Sequence, residues 1–332
     1  MDDVSEQLEP QPTEKSFRFR KWLLLLVCGV ISSLIFLHWV QPDWLVPVTM
    51  VPCWMWLVPS FLLLVFGLRG TSRRLQVSTL ILILVFAGLF VEEVRSLTRI
   101  AKFQEAKSPD VLRVVTLNCN IGSVAAAREV IELQPDVVLF QESPSREELQ
   151  KLSAEMYGDA AVVIYSTDAS LITGFPVSDV FDPNDGHFVS TVLQTPSAQL
   201  RVVSTRLSAP VYRLDFWQGS FWKQHAKCRQ DHRRQLQEIA DHLQKDRESG
   251  RAVVLAGDFN SVPRDGAFSP FAGWLQDQFF VAGKGLGGTG TNEIPLFRVD
   301  QVWATSMQAN IAVAKKTIHS DHRMVVVDFD WQ

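Results

Sequence analysis

The sequence is poor in cysteine, and its cysteines have no pattern. Four occur in 332 residues, Cys28, Cys53, Cys119 and Cys228, and none stands at C-x-x-C spacing. That excludes a disulfide framework and a cysteine-ligated zinc site. A basic surplus is also missing: 32 Lys and Arg face 36 Asp and Glu, for a net charge of −4. Proteins that live by gripping nucleic acid carry a basic excess or patch. Tight DNA binding is therefore disfavoured, although a nuclease is not excluded. Internal repeats and low-complexity segments are lacking as well. With 47% hydrophobic and 20% charged residues the chain is not a disordered one. Its length allows one large core or two smaller ones.

Charge itself is missing from three stretches near the N-terminus. Trp22–Val40, Trp44–Leu68 and Leu75–Val91 contain no Asp, Glu, Lys or Arg. Each approaches the length a helix needs to cross a bilayer, about 20 residues. Trp22, Trp39 and Trp44 stand at run ends, where amphipathic rings favour the interface. Buried helices of a soluble core would need polar faces that these runs lack. A cleaved signal peptide is not expected, because the first run is long for one and no A-x-A-like site follows. Residues 22–91 are thus predicted to form three transmembrane helices, after a cytoplasmic tail at 1–21 and before a charged linker at 92–109.

The flanks predict the orientation. Lys15, Arg18, Arg20 and Lys21 precede the first run, and Arg69, Arg73 and Arg74 separate the second from the third. The positive-inside rule puts the N-terminus in the cytoplasm and, after three crossings, the remainder in the periplasm or outside the cell. Pro47, Pro52 and Pro59 are expected to kink the second span. A transporter is not indicated, since no charge inside the runs marks an ion or proton path.

From 110 to 332 the texture changes to short strands mixed with helices. Strands are predicted at 112–119, 136–142, 161–165, 170–175, 187–194 and 199–207, then in RAVVLAGDF, FRVDQVWAT, ANIAVAKK and HRMVVVDFD. Helices are expected over 123–134, in SREELQKLSAEM with its Ser cap and acidic first turn, and over 229–246. Strands follow strands too often for a simple doubly wound sheet, so two packed sheets with helices outside fit better.

The strand ends share a chemistry. Asn118 ends one strand, Glu142 the next, and Asp258 with Asn260 the run VVLAGDFN; Asp300 lies in FRVDQVW, and Asp321-His322 opens the last strand. Taken alone, Gly-Asp-Phe-Asn reads as an Asx turn. Polar ends on five strands read as a convergent pocket. Hard oxygen donors with one histidine suit Mg2+ or Mn2+ rather than zinc.

In this order and spacing, TLNCN, FQES, GDFNSVP, VDQVW and SDH resemble the endonuclease/exonuclease/phosphatase superfamily, which includes deoxyribonuclease I, neutral sphingomyelinases and inositol polyphosphate 5-phosphatases. The resemblance covers roughly residues 110–330. It implies a four-layered α/β sandwich, two mixed β-sheets flanked by helices, with the active site at one edge of the sheets. It also implies that Glu142 is the main metal ligand, with Asn118 and Asp321 close to the metal or the phosphate. Asp258 would orient or deprotonate the attacking water, and Asn260 would hold the phosphate and that water. His322 would serve as base or charge stabiliser, oriented by Asp300. A divalent cation neutralises the anionic ester while a carboxylate or imidazole prepares the water. Taken structurally, Asp300 and His322 would be a plain ion pair.

One position departs from the pattern. RVVSTRL matches a family stretch that usually ends His-Leu, and here position 206 is Arg. Arginine cannot protonate a leaving oxygen, but its planar fork can clamp a phosphate oxygen. Gln301 is a lesser departure, at a position where membrane-attached relatives often carry His. Phe216, Trp217, Phe221 and Trp222 lie near a basic run and read either as a base- or lipid-touching lid or as aromatics tucked under a loop. GKGLGGTGTNE (283–293) lacks the strand-to-helix setting of a nucleotide loop and is expected to be a flexible loop.

The expectation is a membrane-anchored phosphodiester hydrolase that uses Mg2+ or Mn2+. Its substrate is nucleic acid or phospholipid, and its partner is the bilayer, through three spans. No obligate protein partner is inferred. The alternative is a phosphate-binding module that keeps the fold but, with Arg206, has little or no turnover.

Overall fold

The computed structural model describes residues 14–68, 71–99, 111–183, 186–210, 213 and 215–330. The chain forms two compact units: 1–40 with 53–91, and 41–52 with 92–332. The first unit contains α1 (Glu14–Val40). The second contains a 3-10 turn at Asp43–Leu45 and the short α2 (Val46–Thr49), after which α3 (Cys53–Gly67) and α4 (Arg73–Phe90) belong to the first again.

α1, α3 and α4 pack on one another through small or apolar contacts. A Cβ on Gly67 would fall 2.5 Å from Leu24 Cδ2, and Cys28 Sγ lies 3.1 Å from Thr79 Oγ1. Their outer faces stay apolar, with Leu26 and Leu84 each 60% exposed, which is what a lipid-facing surface requires. Phe17–Val40 and Arg73–Phe90 are long and apolar enough to cross a membrane. α1 begins at Glu14, within the stretch read as the tail; residues 1–13 lie outside the described ones.

The run Trp44–Leu68 is bent, as its prolines predict: Asp43–Thr49 and Cys53–Gly67 are together long and apolar enough to be one broken span or a re-entrant loop. It breaks around Met50–Pro52, where Pro52 cannot donate a helical N–H, and its first part belongs to the second unit. Arg229, fully buried, explains why. It donates through Nη2 to Thr49 Oγ1 (2.7 Å) and Asp265 Oδ2 (2.8 Å), and through Nη1 to the Gln41 carbonyl (3.1 Å). Arg233 pairs with Asp43 at 2.8 Å, and Val46 is buried. What remains, α3, has 15 residues; it reaches about 22 Å, short of a hydrocarbon core of about 30 Å.

The predicted linker also changes character. After α5 (Glu93–Leu97), Arg99 donates to the Gly283 carbonyl at 3.4 Å, and buried Arg298 pairs with Glu92 at 2.6 Å and with Asp277. Residues 92–99 are therefore docked on the second unit; 100–110 lie outside the described residues.

The second unit is a sandwich of two six-stranded sheets. Its strands are β1 (Val111–Asn118), β2 (Val137–Gln141), β3 (Val162–Ile164), β4 (Ala169–Thr173), β5 (Val177–Phe181), β6 (Phe188–Gln194), β7 (Gln199–Arg206), β8 (Ala252–Asp258), β9 (Gln276–Asp277), β10 (Asp300–Thr305), β11 (Ala309–Lys315) and β12 (Met324–Asp330). The orders are β11-β12-β1-β2-β4-β3 and β5-β6-β7-β8-β10-β9. Each sheet is antiparallel except at one central pair, β1–β2 in the first and β7–β8 in the second. The edge strands β5 and β9 escape the sequence reading, β5 because its residues are mostly exposed and it shows little apolar signal.

The central strands read as unbroken apolar runs because both of their faces are buried. Leu112, Val114, Val137, Leu139, Val202 and Val254 fill the space between the sheets. Their neighbours Val115, Leu117, Val138 and Phe140 face α6 (Val124–Arg128) and α7 (Arg146–Tyr157), packing on Ala127, Leu149 and Leu152. On the other side Val203, Val253 and Leu255 meet Leu236 and Ile239 of α8 (Gly219–His242), ahead of the short α9 (Gln244–Ser249) and α10 (Gln278–Ala282). Helix, sheet, sheet, helix are the four predicted layers.

Candidate active site

The two parallel pairs end at the same edge, and their ends carry the polar residues. Asn118 stands opposite Gln141, with Glu142 next, and Arg206 stands opposite Asp258. Gly257 is dictated by packing at that point: its φ is 151°, and a Cβ would fall 1.8 Å from the Thr205 carbonyl oxygen. Glu142 and Asn260 have φ of 45° and 46°, a left-handed backbone that non-glycine residues seldom adopt. Such strain is retained where a side chain must be aimed.

Asn118 is the tie between the sheets. Its Nδ2 donates to Glu142 Oε1 (3.2 Å) and to Asp258 Oδ2 (3.0 Å), while its Oδ1 accepts from the Asn120 amide (2.9 Å). The nitrogen, not the oxygen, thus faces Glu142. Glu142 Oε2 accepts from the Ile121 amide at 2.7 Å, and Oε1 also accepts from Arg206 Nη2 at 2.8 Å. Burial works against ionisation of Glu142, but these three donors hold its pKa below the usual range. Arg206 Nη1 reaches Asp168 Oδ1 at 3.1 Å.

Across the edge lies a buried cluster. Asp258 and Asp300 are register partners on β8 and β10, and both are essentially inaccessible. His322 Nδ1 bonds Asp300 Oδ2 at 2.8 Å, and Asp258, Asp300 and His322 place one potential ligand atom each within 4.8 Å of one another. Asp300 Oδ1 is buried without a partner among the described residues. Burial and the neighbouring Asp300 charge push Asp258 up to about 6. Burial disfavours the His322 imidazolium, yet Asp300, then Asp258 and Asp321, raise it to about 10. The same cluster thus disfavours the Asp258 carboxylate and favours the His322 imidazolium, setting the two groups apart.

Asn260 donates its backbone N–H to Asp258 Oδ1 (2.9 Å) and its Nδ2 to the Leu207 carbonyl (2.9 Å). The Asx-turn reading of GDFN is therefore also true locally; it holds Asp258 still. Asp321 is exposed, and among the described residues its carboxylate joins no hydrogen bond or ion pair, though its charge acts on His322. Gln301 is fully buried, donating to the Ser261 carbonyl (2.6 Å) and accepting from Trp303 Nε1 (3.0 Å).

Three supporting residues were not foreseen. Thr289 lies in the Gly-rich stretch expected to be flexible, but its buried Oγ1 accepts from the Asp300 amide at 2.9 Å and its carbonyl from the Arg323 amide at 3.0 Å. A Cβ on Gly288 would fall 1.9 Å from the Pro295 oxygen, so the loop is packed under the Asp300–His322 pair. Ser320 donates to the Asn118 carbonyl (2.7 Å) and accepts from the His322 amide (3.0 Å); its place in HSDH was the available signal. Asp168, the second carboxylate on Arg206, left no local trace. Of the aromatic stretch, Phe221 is buried against His225, while Phe216 and Trp217 are exposed.

A profile of the endonuclease/exonuclease/phosphatase family matches residues 115–322. The chain belongs to that family. No curated relative matches. Among solved structures, beta toxin from Staphylococcus aureus is similar at TM-score 0.51 and 14% identity, covering 65% of this chain and 99% of its own. A family protein from Bacteroides thetaiotaomicron reaches 0.52 at 11%, covering 68% and 97%. A mannosyl-6-phosphatase from the same organism reaches 0.50 at 14%, covering 66% and 99%. At such identities the likeness is one of fold.

The donor set suits a hard divalent cation. Ionised Glu142 offers about four lone-pair sites and uses three, on Ile121, Asn118 and Arg206. A cation on Asp258, Asp300 and His322 would instead require breaking the Asp300–His322 pair. Glu142 is the better holder, with Arg206 as its present counter-charge.

Proposed function

We propose that the protein is a membrane-anchored, divalent-metal-dependent phosphoesterase with its catalytic unit on the exoplasmic face. The observation that carries the chemistry is the convergence of Asn118, Glu142, Asp258, Asn260, Asp300 and His322 at one sheet edge. Glu142, with Asp321 nearer the rim, would hold Mg2+ or Mn2+, which supplies Lewis-acid neutralisation of the ester's charge. Asp258 takes the proton of the attacking water, and Asn260 fixes Asp258 in place. The His322 cation, held by Asp300, stabilises charge gathering on the phosphoryl oxygens. Arg206 cannot donate a proton to the leaving oxygen; it offers charge to a non-bridging oxygen.

The charge balance disfavours nucleic acid, whereas the apolar anchor and exposed Trp217 favour a phospholipid or another phosphodiester. Relatives of this fold include a toxin and a sugar phosphatase, so monoesters belong in the test. The second reading, a phosphate-binding module without turnover, is favoured by the Arg206–Glu142 bond.

One observation supports the orientation and a second limits the number of crossings. Basic residues flank the predicted cytoplasmic ends. Segment 41–52 also belongs to the same compact unit as 92–332. Both therefore lie on one side, and the chain between them must cross twice or not at all. α3, though short, can cross with local thinning of the bilayer.

The test uses full-length protein in detergent with Mn2+, given bis-p-nitrophenyl phosphate, plasmid DNA, sphingomyelin and mannose 6-phosphate. Metal-dependent turnover is expected to fall by about 10²–10⁴-fold in Asp258→Ala. No turnover on any substrate, with Mn2+ still bound, would favour the silent module. Proteolysis of the catalytic unit from the cytoplasmic side of vesicles would overturn the orientation.

A further inference from the structure

Arg206 ends β7 where a proton donor is expected, and its guanidinium is held by two carboxylates instead. Nη2 donates to Glu142 Oε1 at 2.8 Å, the same oxygen that accepts from Asn118 Nδ2. Nη1 donates to Asp168 Oδ1 at 3.1 Å, and Nε is buried with no acceptor among the described residues. The Arg206 and Glu142 side chains are 23% and 20% exposed, and Asp168 is 54% exposed, so this is the open side of the site. The Asp168 carbonyl also accepts from the Glu142 amide at 3.2 Å, which keeps the two carboxylates side by side. A guanidinium that left Glu142 would still have the Asp168 carboxylate beside it. It carries an unused N–H and a permanent charge.

We propose that Arg206 is the resident counter-cation of Glu142 and competes with the divalent metal for the same carboxylate. A phosphate group that draws the guanidinium off Glu142 opens Glu142 to the metal. Phosphate and metal then bind cooperatively, since what helps one must help the other by the same factor. The site takes up its metal fully only with an anionic ligand at hand. This rests on the phosphoesterase reading of the same site.

The experiment counts bound Mn2+ by the electron paramagnetic resonance of the free ion, on full-length protein in detergent, with and without inorganic phosphate. Without phosphate, Arg206→Gln is expected to bind Mn2+ about tenfold more tightly than the native chain, because a charge pair no longer has to be broken first. Phosphate is expected to tighten Mn2+ binding several-fold in the native chain and much less in the variant. Asp168→Asn, a change at a half-exposed position, removes the resting place of the guanidinium. It should weaken Mn2+ binding without phosphate and enlarge the gain with phosphate; a purely electrostatic role would weaken both equally. Equal Mn2+ affinity in the native chain and Arg206→Gln overturns the proposal. So does a phosphate effect that Arg206→Gln leaves undiminished, or Mn2+ binding that survives Glu142→Gln. No Mn2+ binding by any form overturns the metal-dependent reading together with it. In that case the competition fails for want of a metal, not for want of the arginine.

Discussion

The two sides of the candidate site hold charge in opposite ways. On one side Asp258 and Asp300 are 1% and 0% exposed, and their compensation comes from His322 inside the protein. On the other, Glu142, Arg206 and Asp168 meet solvent, and their ion pairs are open to exchange. Burial commits the first group to its partners, because an unpaired charge in low dielectric is expensive. Partial exposure lets the second trade a guanidinium for a metal or a phosphate at modest expense. One side has its charges fixed by burial, the other has them within reach of solvent.

The strongest way to break that contrast is to remove the buried cation. His322→Gln leaves the Asp300 carboxylate buried and uncompensated and is expected to destabilise the second unit by about 3–5 kcal/mol. Arg206→Gln, on the open side, should cost less than about 1 kcal/mol. Denaturation of both variants in detergent, followed by intrinsic fluorescence, checks the difference. Equal losses would end the distinction between the two sides.

A smaller effect comes from pH. The His322 pKa is raised to about 10 in the folded chain, against an ordinary value of about 6.5. Its contribution to stability is therefore complete below about 6.5 and is lost as pH rises through about 10. Asp258 is raised to about 6, so its ionisation costs stability between its ordinary pKa of about 3.9 and that value. Turnover should rise as pH passes about 6, where Asp258 becomes a base, and fall as it passes about 10, where His322 loses its charge. A flat pH–rate profile between pH 5 and 8 would remove Asp258 from the role of base.

The smallest effect sharpens the contrast from beneath. Thr289→Val removes the acceptor of the Asp300 amide and should cost about 1–3 kcal/mol. It is also expected to lower the upper pKa of the pH–rate profile by loosening the Asp300–His322 pair. A loss of stability with that pKa unmoved would make Thr289 a packing residue only.

Much of the site was legible because its residues sit where apolar strands end. Asn118, Glu142, Asp258, Asp300 and His322 are marked by an abrupt change of polarity, and strand ends at one sheet edge converge by geometry. Asp168 and Thr289 had no such mark: an acid in a turn and a hydroxyl in a Gly-rich loop look like any others. Asp321 was read from its motif; its side chain is exposed and its charge acts on His322. The middle apolar run was legible only in part, for a related reason. Apolar composition says that Val46 and Thr49 avoid water; it does not say whether lipid or protein covers them.

By itself the sequence determined the family, the two-sheet sandwich, the apolar N-terminal helices and the polar strand ends that meet at one sheet edge, because all of these follow from local pattern and motif order. The tertiary structure decided how charges separated by many residues find one another. Arg229 reaches Thr49, Arg298 reaches Glu92, and Arg206 chooses Glu142 and Asp168. An ion pair is chosen by distance and burial after folding, and neither quantity is written along the chain.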